Sequence, residues 1–137
     1  MTTDSPTDAP ITPTTPKAML WTGRVISAIP ALMMGGMGTV MLFAFPEKIV
    51  EGMAKHGYPA GVARPLVIVE IISAVLYVIP QTAVLGAILL TGYLGGAVAT
   101  HVHAGEPWWF PVVFGVLVWL GLFLRDARVR SLVPLRR

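Results

Sequence analysis

The sequence predicts an all-α membrane protein: an antiparallel four-helix transmembrane bundle with a short interfacial helix between the first two spans. Three observations lead there. Of the 137 residues, 55% are hydrophobic and only 12% are charged, more apolar surface than a soluble domain of this size can hide in its core. The apolar residues are gathered into four runs, about 20–45, 62–79, 82–102 and 108–124. At 1.5 Å per residue each can cross a hydrocarbon layer about 30 Å thick, the second and fourth standing nearly upright. None of the runs alternates strictly, so helices, which satisfy every backbone polar group within the segment, are the expected structure in lipid.

The elements follow in order. Residues 1–18, MTTDSPTDAPITPTTPKA, contain six Thr and four Pro, with almost nothing to bury, and are expected to form a disordered polar tail. They do not introduce a signal peptide, because the run from Leu20 to Phe45 is too long for a signal core and lacks a small-x-small cleavage site. A transmembrane domain over 19–126 comes next. Its first span carries Pro30, expected to kink it. Between the first two spans a short helix is predicted: Pro46 suits its first turn, Glu47 the positive helix end, and Glu51 and Lys55 pair one turn apart. Ile49, Val50 and Met53 share a face, and Gly57 stops the helix. "IPQT" (79–82) is a tight reversal into the third span. In "HAGEPWW" (103–109) Gly105 ends the third helix and Pro107 helps start the fourth. Residues 127–137 read as a basic cytoplasmic tail lying against anionic lipid.

Charge sets the orientation. Lys17, Arg24, Arg125, Arg128, Arg130, Arg136 and Arg137 lie on the side of both termini, against Lys48, Lys55 and Arg64 on the other, so both termini are expected to face the cytoplasm of a bacterial inner membrane. Trp21 at one boundary and Tyr58, Trp108 and Trp109 at the other suit aromatic belts. The basic residues thus point to lipid headgroups and not to nucleic acid. With no cysteine in the chain, thiol–disulfide chemistry, iron–sulfur ligation and thiolate zinc sites are excluded for the chain by itself.

Glu70 is the residue hardest to reconcile with lipid. It lies eight residues from the outer end of the second run, about 12 Å deep by helical rise. A charge such as Asp at the centre of a span costs roughly 2.5–3.5 kcal/mol, so Glu70 is expected to be protonated, paired or turned toward a hydrated cavity. Ser73, Tyr77 and Gln81 lie three, seven and eleven positions on, forming one polar stripe, with Ile68, Ile71, Ile72 and Val75 as the lipid-facing back. In the third span Gly92, Gly95, Gly96 and Ala99 share a sector that includes a GxxxG, so another backbone can approach closely there. Tyr93 lies at the depth of Glu70, as do Gly35, Gly38 and Thr39 of the first span. Two readings stand: Glu70 is a proton-exchanging group in a binding site with Ser73, Tyr77, Gly92, Tyr93, Gly96 and His101, or it is a neutral acid hydrogen-bonded to Tyr93 or a free carbonyl inside a tightly packed seam.

His101 and His103, two positions apart, point about 200° away from each other on a helix, so the pair does not chelate a metal and no metal site is expected. They read as polar caps at the interface, or one of them is a proton acceptor or one ligand of a site completed by His56, Glu106 or a partner. Met33, Met34, Met37 and Met41 read as flexible core filler or as the wall of a quinone or lipid groove.

Through "EIISAVLYVIPQTAVLGAILLTGYLGGAVATHVHAG" (70–105), "PVVFGVLVWLGLFLRD" (111–126) and "LVPLRR", the chain resembles the DoxX-like family of small bacterial four-helix membrane proteins. Glu70, Gly92, Tyr93, Gly95, Gly96 and His101 match the family pattern. His103 and Gln81 depart from it, each standing where an arginine is common. The resemblance implies membrane subunits similar to those of thiosulfate:quinone oxidoreductase, anchors for soluble redox enzymes and, more distantly, assembly chaperones for membrane receptors. It makes quinone the candidate cofactor and a partner redox protein or a homo-oligomer the candidate assembly. A redox-linked accessory subunit is the leading expectation, and a non-catalytic assembly subunit or chaperone the second. A small proton-coupled transporter ranks last, because the charge bias fixes one topology and the acid lies in the second span. Neither a catalytic motif nor a cofactor motif marks the chain as an enzyme.

Overall fold

The computed structural model describes residues 14–133. The predicted polar tail lies outside the described residues up to position 13, while Lys17 and Ala18 already belong to the first helix. The chain forms α1 (Lys17–Pro30), a π-helical turn (Ala31–Gly36), α2 (Met37–Ala44), α3 (Pro46–Lys55), α4 (Ala60–Val78), α5 (Ala83–Ala104), α6 (Trp109–Arg125) and α7 (Ala127–Leu132). The run Lys17–Ala44, α4 and α5 are each long and apolar enough to cross a membrane, and α6 is a shorter apolar helix of 17 residues.

The first rod changes its hydrogen-bond register where its sequence forbids a regular ladder. Pro30 has no N–H to donate to the preceding turn, and directly after it the hydrogen bonding widens to the π register through Ala31–Gly36. The predicted kink is therefore a π turn, placed where Gly35 presses against α4: a Cβ at Gly35 would lie 2.9 Å from that of Ala74. The helix between the first two spans forms where it was expected, but among the described residues Glu51 and Lys55 do not come within 4 Å of each other as an ion pair. Pro46 occupies its first turn with Glu47, Lys55 its last, and Gly57 follows at φ +80°. Its buried residue Ile49 belongs to the face with Val50 and Met53, and the helix packs on α2 and α4.

The rods neighbour one another in chain order, and α6 returns to pack along α1. Successive rods run in opposite senses. Gly23 near the start of the first rod abuts Leu124 and Arg125 at the end of α6, and Gly86 at the start of α5 lies against the backbone of Leu76 and Tyr77 at the end of α4. The core between them is built from Met34, Tyr77, Leu90, Leu94, Val118 and Leu122. Ile68, Ile72 and Val75 of α4 face outward with many other large apolar side chains, the distribution expected of a bundle whose solvent is lipid. Of the methionine cluster only Met34 is core; Met33 and Met37 are exposed.

The turns agree with their sequences. Thr82 N–H donates to Ile79 O at 3.1 Å and its hydroxyl to Leu76 O at 2.8 Å, closing α4 into α5. Gly105 adopts φ +71°, and the Glu106 N–H reaches back to His101 O at 2.9 Å, the six-residue closure that a left-handed glycine permits. Two expectations are revised. Gln81 lies in the turn beyond α4 and is exposed, so the polar stripe ends at Tyr77. The stretch read as a tail begins as α7, capped by Asp126, whose carboxylate accepts the Arg128 N–H at 2.8 Å, with Val129 buried in the core. Within it Arg130 turns back to the carbonyls of Phe123 and Leu124 at 3.0 and 2.8 Å, occupying acceptors left open at the end of α6.

Candidate functional site

Glu70 is the eleventh residue of α4 and Tyr93 the eleventh of α5, so antiparallel packing brings them level in the middle of both helices. The Tyr93 hydroxyl donates to Glu70 Oε2 at 2.7 Å. On the α2 side the backbone of Gly38 closes in: a Cβ there would lie 3.8 Å from the Glu70 carboxyl carbon and 3.4 Å from Ile71 Cγ1. Both side chains are partly buried. A phenol donating to a carboxyl oxygen removes much of the penalty of holding that oxygen among apolar neighbours. It leaves the other carboxyl oxygen for a proton or a ligand.

The rest of the predicted site divides. Ser73 is buried but donates to Val69 O of its own helix at 2.6 Å, the back-bond common for a hydroxyl inside a helix. Tyr77 is fully buried and belongs to a second network toward the end that carries both termini. Its hydroxyl donates to Val118 O at 2.8 Å and lies 2.9 Å from Ser27 Oγ. A phenol has one proton and a carbonyl only accepts, so the serine is the donor of the second bond. Arg125 locks this network from α6: its guanidinium stacks 4.5 Å from the Tyr77 ring centroid and its Nη2 donates to Tyr77 O.

Gly92 and Gly96 do not join the acid. Together with Gly95 and Ala99 they face out of the bundle, and an added Cβ at any of the three glycines would meet nothing within 4 Å. The close backbone approaches occur at other glycines, Gly86 against Tyr77 and Gly121 against Ser27. The seam is thus real as a surface, but among the described residues no helix fills it.

His101 lies at the opposite end of α5, eight residues from Tyr93, about 12 Å by helical rise. It diverges from His103, which is exposed, and meets His56 and Glu106. His56 Nε2 is 3.1 Å and His101 Nε2 is 3.8 Å from Glu106 Oε2. Each histidine places its Nδ1 2.8 Å from the carbonyl one turn back, Gly52 O and Ala97 O. This fixes the rings so that both Nε2 atoms face one carboxylate. The bond to Glu106 raises His56 above its ordinary range, and the same bond holds Glu106 below the usual carboxylate range. Tyr58 adds a second tie at this end, its hydroxyl 2.6 Å from Thr100 Oγ1. Among the described residues no group of three His, Cys, Asp or Glu side chains is arranged to hold a metal ion.

Sequence reasoning missed Ser27 and Arg125. Ser27 is one small polar residue in an apolar run, and Arg125 reads as a boundary charge; only the packing of three helices gives them Tyr77 in common.

The architecture and the acid–phenol pair define a multi-pass membrane bundle with a carboxyl group held among its helices. The chain belongs to the DoxX-like family, whose sequence model matches residues 25–121 and so covers both members of the pair and His101. No curated protein and no solved structure matches the chain.

Proposed function

We propose that the protein is a redox-linked accessory subunit of a membrane complex in the bacterial inner membrane, both termini cytoplasmic, with Glu70 exchanging a proton with a quinone. The observation that supports this is the Glu70–Tyr93 pair at 2.7 Å in the middle of α4 and α5. An intramembrane acid facing the bundle interior is a functional-site hypothesis by default. Glu70 is only partly buried, and that exposure suits the approach of a flat headgroup. Two clefts in the bundle are lined by neither Glu70 nor Tyr93; in this reading the headgroup approaches from the bundle flank.

A bound quinone supplies two-electron, two-proton chemistry, its electrons arriving from a partner redox protein. In this reading Tyr93 fixes one Glu70 oxygen and thereby aims the other. Glu70 holds a proton at that second oxygen and gives it up to a hydrogen-bonded acceptor.

Purification in mild detergent should retain quinone in a stoichiometric amount, and Glu70→Gln should reduce the partner's quinone reduction at least about ten-fold, the lower range of general acid–base contributions. Absence of quinone together with full activity of Glu70→Gln would contradict the proposal.

The outward glycine face favours a second reading, a non-catalytic assembly subunit or chaperone that offers Gly92, Gly95, Gly96 and Ala99 to a partner helix. Under that reading Glu70→Gln alters assembly or protein level without altering turnover, and Gly92→Leu with Gly96→Leu abolishes co-purification at constant stoichiometry.

A further inference from the structure

A cleft of about 770 Å³ opens at the end of the bundle near both termini, between α1, the α4–α5 turn and the end of α6. Its polar rim carries Arg24, Arg125 and Arg128, with Gln81 and Ser27 beside them and a single carboxylate, Asp126. That carboxylate already accepts the Arg128 backbone N–H. Among the described residues none of the three arginines has a carboxylate within 4 Å, since the ion pairs there are those of His56 and His101 with Glu106. Arg125 in addition has a buried Nε with no hydrogen-bond partner. Three cations around one cleft repel each other, and a partly buried guanidinium with an unused donor is costly to leave without an acceptor.

The apolar part of the cleft runs along the first rod past Ala28 to Leu32. Leu32 lies eight residues beyond Arg24, about 12 Å further along the helix. The cleft therefore has a cationic head near the helix ends, one turn from Trp21, and an apolar stem directed toward the middle of the first rod.

We propose that this cleft binds a phosphate-bearing anion, its oxygens held by Arg24, Arg125 and Arg128, and that the stem receives the chain of an anionic amphiphile. Arginine suits the role because its guanidinium presents paired donors in the geometry of phosphate oxygens. The site is separate from the Glu70–Tyr93 pair and stands whether or not that pair meets a quinone.

The test uses the full-length protein in an uncharged detergent, with phosphatidylglycerol and phosphatidylcholine as probes, followed by native mass spectrometry. The expected result is a one-to-one adduct with phosphatidylglycerol, favoured over phosphatidylcholine by about ten-fold or more. Arg24→Gln and Arg128→Gln, both at exposed positions, should each lower that retention several-fold, whereas Arg64→Gln, which removes the same charge at the other end of the bundle, should leave it unchanged. Competition by millimolar inorganic phosphate would identify the ligand as a free phosphate; its failure to compete would identify the lipid. Equal retention of both lipids without phosphate binding, or equal losses in Arg24→Gln and Arg64→Gln, would overturn the proposal.

Discussion

Tyr93 and Glu70 are linked by one hydrogen bond of 2.7 Å, and Tyr77 joins Val118 and Ser27 through two. The two tyrosines should therefore respond differently to loss of their hydroxyls. Tyr93→Phe removes one bond within a membrane bundle and should destabilise by about 0.6 kcal/mol, the mean for interhelical hydrogen bonds in lipid. Tyr77→Phe strands a buried carbonyl and a buried serine at once, and should cost about 1–3 kcal/mol; chemical unfolding in mixed micelles measures both. His56 and Glu106 give a dependence on pH. Because folding raises His56 above its ordinary 6.5, its stabilisation is complete below that value and is lost as pH rises through the folded value. Because folding lowers Glu106 below 4.5, its stabilisation is complete above that value and is lost as pH falls through the folded value. Thermal melts of wild type and Glu106→Gln should thus differ most between about pH 4.5 and 6.5 and converge as pH rises through the folded value of His56. That Glu70 needs a partner at its own depth was legible in the sequence, because an acid in an apolar run is costly to leave alone, with Tyr93 one of the alternatives for that partner. The meeting of His56 with Glu106, fifty residues apart, was legible only as one alternative, since spacing does not say which loops share an end.

At the scale of helices, the first rod tolerates its π turn because Gly35 there lies directly against Ala74, so the widened turn still packs. The glycines separate by what surrounds them. Gly86→Ala would drive a methyl into the Tyr77 backbone, which cannot move aside, and should destabilise by about 1–3 kcal/mol or more. Gly92→Ala meets open space and should be neutral to stabilising by up to about 1 kcal/mol, as alanine is the better helix former. Denaturation midpoints of the two variants compare them directly. The GxxxG at 92 and 96 was visible in the sequence, but the pattern records that a face is small, not which helix meets it. Gly86 and Gly121, at the actual contacts, carry no motif because each meets a neighbour at a single point. Helix positions were legible from the length of the apolar runs, and the reversal at Ile79–Thr82 from its proline. The helical start of the C-terminal stretch was not, because it is six residues long and depends on Val129 reaching the core.

Across the whole molecule, the two ends of the bundle differ chemically. One gathers Arg24, Arg125 and Arg128 around a cleft, and the other holds the two histidines on Glu106. Basic residues at the first end should keep it on the cytoplasmic side, and reporter fusions at the two termini should both report that side. Between the ends lies the Glu70–Tyr93 pair, and the proposed proton exchange depends on that pair joining α4 to α5 inside the bundle. A double-mutant cycle with Glu70→Ala and Tyr93→Phe, read as unfolding free energy in lipid-containing micelles, measures the link most directly. The account predicts a coupling of about 0.6–1.7 kcal/mol between the two positions; strictly additive losses would contradict it.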